Sequence, residues 1–431
     1  MSAVPLRRAA ILAVGSEMLT PTRLDTNSLT ITEVVNAVGI DVVLKAIVGD
    51  DRAELAAQFA HMLQRVDLVI LTGGLGPTED DVTREVVAEH LGLPLSEDHA
   101  ITDAIRRRFA QRGWQMPEIN RRQAMVPRGA TVLPNANGTA PGLWIEAGGK
   151  GIALFPGPPR EMKPMLQRVV DDYLRARADG VRLVRRVLKI AGRSESRVEE
   201  LTQPIYSTWR AWPIPVETTI LATPGQIELH VSARGNNELS LQTTLERAVS
   251  EILTVLPHDV FSMDGRALEE VVGDLLRQRK LRIALAESCT GGLATSRLTD
   301  VSGSSAYVEQ SVVVYSNESK VARLGIREPL LAEHGAVSEP VAEAMANAIR
   351  EQAKVDIGVG ITGIAGPSGG TEAKPVGMVC IAVSMAGAKT VRTFKFPGNR
   401  ELVKLFAAFT ALDMVRRILL QSPPNVDWLQ K

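Results

Sequence analysis

The sequence predicts an α/β protein: two layered domains on largely parallel sheets, joined by a small α+β module. Three observations predict it. Short apolar runs alternate with longer amphipathic ones from Ala9 to about Val170 (AAILAVG, NSLTITEVVNAVG, VDLVILTGG, DDVTREVVAEHLG), and strand–helix alternation signals a parallel sheet. The alternation returns from about Ala267 to Leu420, after a stretch of different character. At 431 residues the chain also exceeds the size at which one core stops growing. The predicted domains are residues 1–175, 182–262 and 266–422.

The 49 basic and 49 acidic side chains cancel, leaving no electrostatic footprint for nucleic acid or an anionic membrane surface. The expected partners are small molecules and a second copy of the chain, as a homodimer. Cys289 and Cys380 are too few for a disulfide framework or a cysteine metal cluster and fit a reduced, cytoplasmic setting. The opening apolar run reaches Glu17 quickly and reads as a first strand, and no segment is long enough to span a bilayer.

In the first domain, VDLVILTGGLGPTEDDVTRE reads as a buried strand, a glycine turn and a helix. Gly73, Gly74 and Gly76 allow positive φ and close approach of a ligand, and Pro77 stiffens the exit. Thr78 stands where an N-cap belongs and Asp81 where a capping-box acid belongs, which makes the turn a phosphate cradle at a helix start. Glu79, Asp80 and Asp81 equally suit the helix dipole alone. Further polar turns fall at other strand ends: Gly15-Ser16-Glu17, Asp25-Thr26-Asn27 and Pro156-Gly157-Pro158-Pro159. In an open α/β sheet such ends converge on one crevice.

The motifs GGLGPTEDDVTRE, DTNS, NRRQAM, NGTAPG and FPGPPREM resemble the N-terminal half of the CinA (competence/damage-inducible protein A) family. The first domain of that family is similar to molybdopterin-binding proteins of the MogA and MoeA type. The resemblance implies a MogA/MoeA-like parallel-sheet domain that binds a nucleotide and hydrolyses ADP-ribose to AMP and ribose 5-phosphate with a divalent metal, Mg²⁺ or similar. It places the phosphate cradle on Gly73, Gly74, Gly76 and Thr78, further substrate contacts on Asn27 and Gly157, and the metal on Asp80 and Asp81. Pro21 stands where the family usually has glycine. A domain that only bound a nucleotide or pterin would show the same residues.

The middle module holds RRVLKIAGRSESRVEELT, a Trp/Pro-rich turn, the alternating strand QIELHVSARG and the helix LSLQTTLERAVSEIL. Small modules of this kind bind RNA through a Gly-x-x-Gly clamp. The nearest turn, Gly192-Arg193-Ser194-Glu195, lacks the second glycine, so the module is expected to be a spacer or dimerisation element.

The third domain contains one histidine, His334, with no acid at a triad spacing, which argues against a Ser-His-Asp site. Hydroxyls cluster elsewhere. Ser288 lies in AESCTGG with Gly291 and Gly292 behind it, Ser304 and Ser305 follow VSG, and Ser316 follows a strand ending at Tyr315. Lys320 falls in the first turn of a short helix between Ser316 or Asn317 and Gly325, where the dipole disfavours a cation. A lysine held near hydroxyls, with its proton affinity lowered from about 10.4, can serve as a general base; a lysine pointing into water is the plainer reading. Cys289 is a rival nucleophile without a histidine partner. ITGIAGP places Thr362 and Gly363 at another strand end, and FPGNREL sets Arg400 at a helix start, where it suits a phosphate or carboxylate.

Taken in order, AESCTGG, GSS, VVVYSNESK, GAVSE, ITGIAGP and FPGNRE resemble the C-terminal CinA domain, also found alone as the nicotinamide mononucleotide (NMN) deamidase PncC. The resemblance implies hydrolysis of the NMN amide to nicotinate mononucleotide and ammonia without a metal. It makes Ser305 the nucleophile and Lys320 its base, with Tyr315 and Ser288 assisting and Thr362 and Arg400 holding substrate. The combined expectation is a bifunctional pyridine nucleotide salvage enzyme. The competing class is a non-catalytic nucleotide- or pterin-binding adaptor linked to competence or DNA damage.

Overall fold

The computed structural model describes residues 4–178 and 180–423; the first three residues of the expected first domain lie outside them. The chain divides into two compact units. One runs to Val184 and takes in Arg234–Leu241, and the other holds Arg185–Ala233 and the chain from Gln242 on.

The first unit is built on a six-stranded sheet. Its spatial order is Asp41–Val48, Arg8–Val14, Leu68–Thr72, Lys150–Phe155, Gly142–Ala147 and Thr131–Leu133. The first four strands are parallel and the last two antiparallel. Alternation along the central strand sorts its side chains between two cores. Ala10, Leu12 and Val14 pack with Leu55, Phe59 and Met62 of the helix Arg52–Arg65, whereas Ala9 and Ile11 pack with Ile31 and Val35 of Asn27–Ala37. Burial on both faces is why these strands read as unbroken apolar runs. Their register brings Val14, Val48, Thr72 and Phe155 to one edge, and the chain switches sides of the sheet around the first strand, the place where such folds bind ligands.

One expectation is corrected here. The helix after the glycine turn begins at Thr83, with Val82 as its cap, so Thr78 is not an N-cap. Asp81 instead accepts from the Thr78 amide at 3.0 Å, while its own amide donates to Thr78 O at 3.2 Å. An Asp–Thr pair closes a local turn as readily as it caps a helix, and here the turn wins.

The middle module, most of which falls in the second unit, is a four-stranded sheet ordered Val216–Thr223, Gln226–Gly235, Arg182–Ala191 and Val260–Ser262. Its Ala191 and Phe261 belong to the same apolar core as the C-terminal sheet and the helix Arg400–Leu420. Buried Asp259 accepts from Arg417 at 2.8 Å and from Arg193 at 2.9 Å, and Asp413 also pairs with Arg417 at 2.7 Å. The C-terminal sheet has the order Val308–Val313, Ile283–Glu287, Ile357–Gly363, Met378–Met385 and Ala388–Lys395, the first three parallel and the others antiparallel. The long final helix packs on this sheet, as its spacing predicts. Among the described residues no helix is long and apolar enough to cross a membrane.

Candidate active sites

At the carboxyl edge of the first sheet lies a cavity of about 830 Å³ that brings together Asn27, Gly73, Gly74, Gly76, Gly157, Asp80 and Asp81. Thr78 stands beside it, its carbonyl held by Arg122 at 2.7 Å. The glycines are required by packing before any ligand is considered. A Cβ at Gly73 (φ 107°) would stand 2.0 Å from Val14 O, one at Gly74 (φ 65°) 2.2 Å from Thr83 Oγ1, and one at Gly76 2.3 Å from Asp81 Oδ2. No acceptor takes the amides of Gly74, Leu75 and Gly76 among the described residues, so the turn presents free donors even though no helix starts there. Such successive amides form an anion-binding concavity.

Two supports were not foreseen. Buried Arg84 donates to Leu75 O at 3.1 Å and to Arg122 O at 2.9 Å, pinning the turn from beneath. Asn27 donates to Thr72 Oγ1 at 3.0 Å and to Gly157 O, tying two strand ends together, and its Oδ1 is buried without a partner. Because Gly157 O can only accept, the amide orientation is fixed. An arginine just behind a glycine turn is the sequence signal that could have found Arg84. A hydrogen bond with Thr78, and more weakly the Arg122 charge, hold the Asp80 carboxyl below its ordinary range. Among the described residues no three His, Cys, Asp or Glu side chains converge as a metal cage. The donor set therefore fits a hard cation only in the open mode, in which one or two carboxylates share it with water and substrate phosphates.

The second site forms at the carboxyl edge of the C-terminal sheet. Lys320 is 1% exposed and donates to Val314 O at 3.0 Å and Tyr315 O at 3.3 Å, with Ser288 Oγ also 3.3 Å away. Ser316 caps its helix and Gly325 ends it in the left-handed conformation, as predicted. Burial pushes the Lys320 amine below its ordinary 10.5, against the weaker opposite pull of Cys289 and Glu318. When such an amine gives up its proton, two carbonyls take its N–H groups and its lone pair is left for the hydroxyl proton. Burial pushes the neighbouring Cys289 thiol up to about 12, so it stays protonated at neutral pH and is a poor nucleophile.

The structure does not bring Ser305 to Lys320 within one chain. Ser305 sits in an exposed turn before the strand Val308–Val313, whereas Lys320 lies beyond that strand's far end. At about 3.3 Å per residue the strand separates them by about 16 Å. The hydroxyl at the amine belongs to Ser288, so the implied Ser305–Lys320 pair is replaced within the chain by Ser288–Lys320. The Tyr315 phenol, expected to assist, does not meet Lys320 either. It accepts from Arg400 at 2.6 Å, and only the Tyr315 carbonyl meets Lys320. Arg400 also donates to Gly366 O at 2.9 Å. Thr362 is buried with its hydroxyl donated to Ala336 O at 2.8 Å, and a Cβ at Gly363 would stand 2.7 Å from Val379 Cγ2. Both serve the strand end itself.

Glu287 was missed. Its carboxylate, fully buried, accepts from the amides of Gly292, Ala294 and Thr295 at 2.9, 3.2 and 2.9 Å and from the Thr295 hydroxyl at 2.7 Å. Gly291 and Gly292 adopt φ of 65° and 94° to make this wrap possible. The Gly291 amide donates to Ser288 O at 3.1 Å and that of Leu293 to Thr290 O at 3.4 Å. The amides of Cys289 and Thr290, the two residues that follow Ser288, take no acceptor among the described residues, and successive free amides after a nucleophile are the donors an oxyanion needs.

Comparison with known proteins agrees with this division. Residues 265–419 match the family described as "CinA C-terminal domain", and residues 10–176 match the "Probable molybdopterin binding domain". A "CinA-like protein" of Koribacter versatilis is 45% identical over 416 residues, covering 96% of this chain and 100% of the relative. One from Acidobacterium capsulatum is 43% identical over 420 residues, with 96% and 100% covered. A crystal structure of CinA from Thermoplasma acidophilum is 32% identical, covers 39% of this chain and 98% of that one, and gives a TM-score of 0.37.

Proposed function

The chain belongs to the CinA family, and from that premise we propose that its C-terminal domain is an amidohydrolase converting NMN to nicotinate mononucleotide and ammonia. The observation that carries the reading is the buried Lys320 amine 3.3 Å from the Ser288 hydroxyl. Neutral Lys320 takes the proton as Ser288 Oγ attacks the carboxamide carbon, and the Cys289 and Thr290 amides receive the oxyanion. The carbon–nitrogen bond breaks as Lys320 returns the proton to the leaving ammonia. Water then adds to the ester, its proton again passing through Lys320 to regenerate the serine and release the acid. Lysine serves as base for serine on other folds.

For the N-terminal domain we propose hydrolysis of ADP-ribose to AMP and ribose 5-phosphate. The free amides of the glycine turn receive the pyrophosphate, and Asp80 with Asp81 would hold a divalent metal, which supplies polarisation of phosphoryl oxygens. We place the protein in the cytoplasm as a homodimer, its two cysteines free.

The test is ammonia release from NMN by the wild type and three variants. Lys320→Ala and Ser288→Ala should lose it while Ser305→Ala keeps it. The reverse outcome for the two serines would hand the nucleophile to exposed Ser305, which only a neighbouring copy can deliver. No ammonia from the wild type removes the amidohydrolase reading. ADP-ribose cleavage, assayed with and without chelator and in Asp80→Asn, tests the other domain independently.

A further inference from the structure

Glu161 lies in the first turn of the helix Pro159–Val169, on the wall of the cavity of about 830 Å³. The residue is 9% exposed, and a carboxylate that far out of water is costly unless its oxygens find donors. The other deeply buried carboxylates find them. Glu287 accepts from three amides and a hydroxyl, Asp413 from Arg416 and Arg417, and Asp259 from Arg193 and Arg417. Glu161 has one donor. Asn135 Nδ2 gives a proton to its Oε2 at 2.7 Å, and no lysine, arginine or histidine pairs with either oxygen among the described residues. The helix dipole favours an acid in the first turn, but it fills no lone pair, and Oε1 keeps its acceptor capacity whole.

The surroundings fix this carboxylate. The other Asn135 Nδ2 proton goes to Ala140 O at 2.8 Å, and Asn135 Oδ1 accepts from the Asn137 amide at 2.9 Å. Only glycine fits at 138, where a Cβ would stand 1.9 Å from Glu161 Oε2. The turn leading into the helix also abuts the glycine turn: the Gly73 amide donates to Phe155 O at 2.9 Å, and a Cβ at Gly157 would lie 3.6 Å from Gly73 Cα. Free amides for an anion and an unfilled carboxylate oxygen for a donor therefore line one cavity. A single ligand that satisfies both carries a phosphate with hydroxyls beside it, which is the chemistry of a ribose 5-phosphate unit. We infer that Glu161 is a specificity-determining residue that accepts from a ribose hydroxyl of the bound nucleotide. The inference rests on the ADP-ribose reading of the N-terminal domain and adds the contact that tells a sugar phosphate from a bare pyrophosphate.

The experiment compares calorimetric Kd values for ADP-ribose and for inorganic pyrophosphate, in chelator and again with Mg²⁺, between the wild type and Glu161→Gln. That substitution keeps the shape and an acceptor for Asn135 while removing the charge. ADP-ribose should bind the variant about tenfold more weakly or worse, as for a lost hydrogen bond to a charged group, while pyrophosphate changes by less than about twofold. An unchanged ADP-ribose Kd overturns the inference. So does an equal loss for both ligands, which reports a distorted cavity. A fall in kcat for ADP-ribose cleavage with Kd unmoved also overturns it, because Glu161 would then be the base for the attacking water. A wild type that binds ADP-ribose without cleaving it ends the hydrolase reading alone, and the Kd comparison still decides. A wild type that binds no ADP-ribose under either condition ends the nucleotide reading and takes this inference with it.

Discussion

The two glycine turns make the instructive comparison. Each follows a buried parallel strand, Leu68–Thr72 in one unit and Ile283–Glu287 in the other, and each leads toward a helix at the carboxyl edge of its sheet. In the first, the amides of Gly74, Leu75 and Gly76 are left free and face a cavity of about 830 Å³. In the second, the Glu287 carboxylate consumes the amides of Gly292, Ala294 and Thr295. One turn offers main chain to an anion, and the other hides most of its main chain and presents the side chains of Ser288 and Lys320. A single buried acid at the end of a strand therefore decides whether the same local design presents main-chain donors or side chains.

The largest effect that would break this contrast is on activity at the second turn. Lys320→Met should lower ammonia release from NMN by about a thousandfold, in the range of general base catalysis, while the apolar chain fills the same volume. Because burial lowers the amine's pKa from 10.5, wild-type activity should rise with pH through that lowered value as the ammonium gives up its proton. Stability carries the same sign. Between the lowered value and 10.5 the unfolded chain binds more protons than the folded one, so stability increases with pH across that interval. Below it the cost of burying the charge is constant. The Tm gap between Lys320→Met and the wild type should accordingly narrow from pH 7 toward pH 10. A gap that does not move with pH would show that the amine is not held neutral by the fold.

Next in size is the acid itself. Glu287→Ala leaves the amides of Gly292, Ala294 and Thr295 without their acceptor, a loss of about 3 kcal/mol or more, read as a lower urea midpoint. Cleavage of ADP-ribose should survive that change. The counterpart is Gly74→Ala, whose Cβ would stand 2.2 Å from Thr83 Oγ1 at φ 65°. The left-handed backbone alone costs roughly 1–2 kcal/mol, and ADP-ribose cleavage should fall while ammonia release persists. If either substitution silences both activities, the two turns do not act separately.

Much of this was legible in the sequence. The strands of both large sheets, the helix from Ser316 to Gly325 and the crevice at the strand ends all follow from apolar runs and cap residues, because these are local signals. What failed was local ambiguity and sheet register. Thr78 and Asp81 close a turn with the same chemistry that caps a helix. Ser305 is fifteen residues before Lys320 in the chain, yet the six-residue strand Val308–Val313 between them carries the two apart. Ser288 is more distant in sequence and close in space, because the strand Ile283–Glu287 runs beside Val308–Val313 in parallel, with Glu287 opposite Val313. Glu287 read as the last residue of an apolar strand, and only the wrap of the following turn around its carboxylate reveals its task.

The smallest effect separates a strand-end support from a substrate contact. Thr362 is implied by family resemblance to hold substrate, but its buried hydroxyl is donated to Ala336 O at 2.8 Å, in the turn before the helix Glu339–Ala353. Thr362→Val keeps the shape and deletes that one bond, leaving the Ala336 carbonyl without this donor. The expected loss is about 1 kcal/mol of stability, seen in the urea midpoint, with KM for NMN within a factor of about two of the wild type. A hydroxyl that reached substrate would instead show itself in KM, since a polar contact to a bound ligand is worth about tenfold when removed. A tenfold rise in KM with an unmoved midpoint would return Thr362 to the binding surface. It would also mean that the strand end of Ile357–Gly363, like that of Ile283–Glu287, turns a side chain toward the ligand rather than inward to its own fold.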